Sequence, residues 1–106
     1  MFRPRVALAS LSGEADVGWA RDAGAYVGCA FLGGIALDES TREAAREMVD
    51  RNRSEFLPAD PVSFIDDQLR ALADIPLRPG FNVRSATLPP IERAATVCRD
   101  HGAIIE

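Results

Sequence analysis

Residues 5–34 read RVALASLSGEADVGWARDAGAYVGCAFLGG. Residues 5–10 are short and apolar, the form of a strand buried on both faces of a parallel sheet. Ser12 can cap the helix that follows, with Glu14 and Asp16 in its first turn, where acids suit the positive end of the helix dipole. Gly24 fits the residue just past that helix. Residues 25–34 form a second continuous apolar run, closed by Gly33 and Gly34. Strand, helix and strand joined by short links make a βαβ unit, which requires a parallel sheet.

The same alternation continues outward. Ser40-Thr41-Arg42-Glu43 has the S-x-x-E form of a capping box. The helix it opens, through about Asn52, would place Thr41, Ala44, Ala45, Met48 and Val49 on one face. Asp60-Pro61 starts another helix, with Asp as cap and Pro in the first turn. Its Val62, Ile65, Leu69 and Leu72 recur at helical spacing and face a core. Pro76 and Pro79 punctuate the next segment, and residues 80–83 read as a short strand. Thr87 then caps a helix with Pro89 and Pro90 in its first turn and Gly102 as terminator. Residues 103–106, AIIE, read as the fourth strand. The fold class is therefore α/β, one domain over residues 1–106, with four parallel strands bridged by helices.

Four such units form either a small open sheet or half of a closed barrel. A full (β/α)8 barrel takes about 250 residues, and this chain has 106. Read as a partial TIM barrel, the chain supplies roughly the first four strands with their helices. Its last strand is then where more protein is expected, so the sequence reads as an N-terminal fragment.

Composition limits the partners. There are 16 acids against 12 bases, a net charge of −4, and every base is Arg. Nucleic-acid binding draws much of its affinity from cations on phosphates, and no basic block of that kind occurs. No apolar run approaches the ~20 residues of a membrane span. The N-terminus lacks the pattern of a secretory leader. The expected location is cytoplasmic.

Few residues carry obvious chemistry. Cys29 and Cys98 lie far apart with no CxxC, which reads as two buried, reduced thiols. His101, the single histidine, sits beside a helix-ending glycine, where a cation suits the dipole. Asp66 and Asp67 are adjacent on a helix and read as surface charges. No nucleotide-binding motif or metal-ligand spacing is present. In a barrel, sites form at the C-terminal ends of strands, here Ser10-Leu11-Ser12, Leu32-Gly33-Gly34 and Asn82-Val83-Arg84. Asn82 stands out, because Asn is depleted in strands.

The stretch LASLSGEADVGWARDAGA resembles the first βα unit of the tRNA-dihydrouridine synthase family, in which a strand delivers an L-A-P-M-A-G-V-T-D-x-x-F-R loop beneath a flavin. Leu8, Ala9, Gly13 and Asp16 match, and Trp19 replaces the aromatic. GAYVGCAFLGG resembles the second strand. GFNVRS resembles the third, where the family sets an amide against the flavin ring, here Asn82. ERAATVCRDHGAIIE resembles the helix and strand leading to the family's Asn-x-x-Cys segment. The likeness fits best an archaeal branch of TIM-barrel relatives. Ser10-Leu11 stand where the family has Pro-Met, and Phe31-Leu32 where it has Glu-Met. Its catalytic cysteine and flavin-phosphate loops would lie beyond Glu106.

The resemblance implies part of an FMN-dependent oxidoreductase that passes hydride between a nicotinamide, the flavin and a pyrimidine-like or tRNA substrate. The chain alone would be incomplete and inactive, binding FMN weakly or not at all. It implies cofactor contacts from Ala9, Ser10, Leu11 and Ser12 through the first loop, from Asn82 as donor and acceptor, and from Arg84 as a compensating cation. The alternative is a non-enzymatic α/β module that forms a homodimer through its exposed sheet edge.

Overall fold

The computed structural model describes residues 6–11, 13–24, 26–51 and 55–106. Along the chain run β1 (Ala7–Leu8), α1 (Val17–Ala23), β2 (Cys29–Ala36), α2 (Glu39–Asp50), α3 (Pro61–Ala71), β3 (Arg78–Arg84), α4 (Leu88–Asp100) and β4 (Ile104–Ile105). The strands form one sheet in the order β1-β2-β3-β4, and every pair is parallel. The α/β class and the alternation of strands with helices are as the sequence reading expects.

Neighbours in a parallel sheet point partner residues to the same face. Leu8 pairs with Ala30, Leu32 with Phe81, and Phe81 with Ile105. These residues join Ala20 of α1, Ile65 and Leu69 of α3, and Ala94 and Cys98 of α4 in one core. Phe81 is fully buried and meets the edge of Phe64 from α3, ring centroids 6.5 Å apart at 79°. Crossovers between adjacent parallel strands turn right-handed in nearly all folds, so a chain that always steps to the next strand keeps its helices on one face. The alternate residues look the other way. Ala7, Arg78, Arg84 and Glu106 there are exposed, Phe31, Asn82 and Ile104 half-buried, and the small side chains of Cys29 and Ala36 buried. One face of the sheet is thus packed under helices and the other is open.

Several boundaries differ from the sequence reading. β1 is two residues long, not the expected 5–10. The carbonyl of Leu11 accepts from the N–H groups of Glu14 and Ala15, which turns the chain away from the sheet. Ala15 and Phe56 then bridge to Gly33 and Ile35, supplementing the short β1 along β2. β2 does not end at Gly33-Gly34. The pairing with β3 slips by one residue there, and the strand continues through Ala36. The extra residue returns Ile35 to the helix face, where it is fully buried.

The caps differ too. Asp16 lies not in the first turn of α1 but at its N-cap, accepting from the Trp19 N–H. Ser12, expected as that cap, lies outside the described residues, as does Asn52. α2 opens on Asp38, which accepts from the Thr41 N–H, so the Ser40–Glu43 capping box does not form. On α2 only Ala45 is buried; Ala44 and Val49 are exposed. Asp60 caps α3 with Pro61 in the first turn. Thr87 is the N-cap residue of α4 but makes no side-chain cap bond; its N–H is instead met by the Ser85 hydroxyl. Gly102 follows the end of α4 with φ +66°, the left-handed conformation expected of a helix-ending glycine. Among the described residues no helix is long and apolar enough to cross a membrane.

Candidate functional site at the strand tips

At the C-terminal ends of the strands a belt of polar side chains crosses the open face. Asn82 on β3 donates from Nδ2 to Glu106 Oε1 at 2.7 Å. Glu106 is held there because its N–H donates to the Phe81 carbonyl while its own carbonyl accepts from Val83, extending the β3–β4 ladder by one residue. Arg84, two residues beyond Asn82 on the same face, reaches across β2. Its Nη2 donates to Glu55 Oε2 at 3.3 Å.

Gly34 is the floor that permits this. A Cβ at position 34 would meet Asn82 Oδ1 and stand 3.4 Å from Arg84 Nε. Both side chains therefore lie against the backbone of β2, and any side chain at 34 would lift them. Gly33 beside it has φ +100°, and a Cβ there would sit 2.5 Å from the Asn82 carbonyl oxygen. The glycine pair, which the sequence reading treats as a strand end, is instead the surface on which the belt rests.

Glu55 comes from the connection between α2 and α3. The next residue, Phe56, bridges to Ile35 and packs against Phe64, ring centroids 5.8 Å apart. That anchoring turns Glu55 to the open face, with only 7% of its side chain exposed against 45% for Arg84.

Of the six residues that the sequence reading assigns to a cofactor, Asn82 and Arg84 are brought together here. Ala9 is exposed, Ser10 half-buried and Leu11 56% exposed, and no hydrogen bond or ion pair joins them to the belt. Ser12 lies outside the described residues. Glu55 and Glu106 are missed by sequence reasoning. They lie 29 and 24 residues from Arg84 and Asn82, and only strand register and a loop bridge bring them near.

Other chemistry-bearing residues lie elsewhere. Asp66 is not a free surface charge. It takes His101 Nε2 at 2.7 Å and Arg70 Nε at 2.9 Å, tying the end of α4 to α3. Asp67 is exposed, as expected. His101 closes α4 as its C-cap and borders a groove lined by Leu69, Leu72, Ile75, Leu77 and Arg78. That groove lies at the start of β3, the opposite end of the strand from the belt. Cys29 and Cys98 are both free and buried, and burial pushes both thiols up, Arg78 partly offsetting this at Cys29. Raised thiols are poor nucleophiles. Among the described residues no group of three or more metal-ligating side chains forms.

The belt leaves Asn82 Oδ1 and one oxygen each of Glu106 and Glu55 as acceptors, with the outer guanidinium nitrogens of Arg84 as donors. A flat ring carrying N–H beside C=O suits that set. Acid–base chemistry at the belt would fall on its two carboxylates. No protein-family model, curated protein or solved structure matches this chain.

Proposed function

We propose that the chain supplies the first four βα units of a (β/α)8 barrel, and that its belt is the part of a flavin site that grips the ring. The reading is that of an FMN-dependent oxidoreductase similar to the tRNA-dihydrouridine synthases. One observation supports it above the others. Asn82 lies on the open face of a sheet wound in the order β1-β2-β3-β4, at the strand tips and over a glycine floor. In a closed (β/α)8 barrel the face of the sheet away from the helices turns inward, and Asn82 lies on that face. Strand tips are where barrel sites form.

The residues fit one end of the cofactor and not the other. The ring edge presents both donors and acceptors, which Asn82 and Glu106 can answer. The phosphate needs free cations or a run of backbone N–H groups, and the single guanidinium of the belt is already engaged. Flavin, when bound, would supply hydride transfer. The chain's own part is to orient the ring against β2 through Asn82 and to hold Arg84 in place through Glu55.

Titration of FMN with the protein, followed by flavin fluorescence, tests this. Weak quenching by wild type at high micromolar protein, with apparent affinity about tenfold or more lower in Asn82→Ala from the loss of one hydrogen-bonding group to the ring, is the expected result. Absence of quenching at high micromolar protein would remove the cofactor role from this chain.

A second reading is favoured by the outer edges of β1 and β4, which pair with no strand among the described residues. A non-enzymatic module would cover them by self-association. A chain that light scattering finds monomeric at high concentration counts against it.

A further inference from the structure

We infer that Glu55 decides what the belt accepts: by engaging Arg84 within the protein, it makes the strand-tip site select uncharged rings bearing N–H and C=O groups and turn away phosphate and carboxylate ligands. This goes beyond the flavin reading, and its test needs no flavin.

Arg84 is the cation of the belt, and a free guanidinium at the strand tips would be a ready anion receptor, since its planar fork suits carboxylate and phosphate oxygens. Here one arm of that fork is spent. Nη2 is 3.3 Å from Glu55 Oε2, and Nε lies against Gly34, so the side chain is stretched along the floor and ends on an acid. With 7% of its side chain exposed, Glu55 is largely out of water, where attraction to the guanidinium is less screened than at an open surface.

The pairing is also built from the core outward. Phe56, adjacent in sequence, is fixed by its bridge to Ile35 and its contact with Phe64. An ordinary surface ion pair has no such anchor and contributes little. On the other flank Glu106 adds a second carboxylate, held at 2.7 Å by Asn82. An incoming anion must displace one acid and approach another. A neutral ring meets neither obstacle and finds acceptors on both sides.

The experiment is a titration of inorganic phosphate into the 15N-labelled chain at neutral pH, following the Arg84 Nε–H resonance, assigned by its loss in Arg84→Lys, together with the Gly33 and Gly34 amides of the floor beneath it, which report also in variants without Arg84. Wild type should show no saturable shift. Glu55→Gln should show one, with apparent affinity at least about tenfold above any wild-type response, and the double variant Glu55→Gln, Arg84→Gln should lose it. Glu55→Ala, which leaves no oxygen to hold the guanidinium, should gain phosphate binding at least as well; Glu55→Asp should stay close to wild type. Equal response in wild type, Glu55→Gln and Glu55→Ala, or a gain that survives removal of Arg84, would overturn the inference. Thermal melting of each variant shows that the folded chain is being read.

Discussion

Single residues set the two polar clusters, and each is tested by a charge-removing change. Asp66 is held below the ordinary carboxylate range, first by its hydrogen bond to His101 and then by the charge of Arg70. A carboxyl depressed in the folded state stabilises the fold above its unfolded value of about 3.9. That contribution is lost as pH falls through the lower folded value. Asp66→Asn should therefore lower the melting temperature at neutral pH and flatten its fall below about pH 4, so that variant and wild type converge in acid. Melting curves that stay parallel from pH 7 to pH 3 would show that Asp66 carries no such linkage. At this scale the sequence was partly legible. Asn82 could be singled out because an amide within a strand has a cost that needs a partner. Glu106 and Glu55 could not, because nothing local distinguishes an acid whose partner is decided by register.

At the scale of elements, the βαβ alternation was plain because β2 is buried along almost its whole length and reads as a continuous apolar run, and because the cap of α3 is written in adjacent residues, Asp60-Pro61. The reading erred where several local solutions compete. Asp38 and Ser40 can each cap α2. Asp38 prevails because its second oxygen also accepts from the Ala86 N–H at 2.8 Å, a tie to the β3–α4 turn that a sequence motif does not reveal. Paired glycines usually punctuate strands, which predicts a strand end at Gly33-Gly34. Here they continue one, with a slip of register that suits the close approach of Asn82. Gly33→Ala should cost about 2 kcal/mol or more, from the strained φ and the clash with the Asn82 carbonyl. Chemical denaturation measures it. A loss under about 0.5 kcal/mol, the ordinary range for a surface change, would mean that β2 does not need glycine at this point.

At the largest scale, the described residues form a singly wound parallel sheet with α1, α3 and α4 packed on one face. That single topological fact links the packing to the chemistry. The helix face buries Leu32, Ile35 and Phe81 and stabilises the fold. The open face, relieved of that task, carries Phe31, Asn82, Arg84 and Glu106. That the strands run parallel was legible from the helical segments between them; how far the sheet curves was not, because curvature is set by packing over the whole sheet. On the proposed function the strand-tip belt binds a flat heterocycle. The most direct measurement is a 15N–1H correlation map of the chain recorded with riboflavin and with FMN. Shifts are expected at Gly33, Gly34, Asn82 and the Arg84 side chain, with the resonances of Leu72, Leu77 and His101 at the far groove unmoved, and no stronger response to FMN than to riboflavin. Shifts confined to the far groove, or none anywhere at saturating flavin, would contradict it.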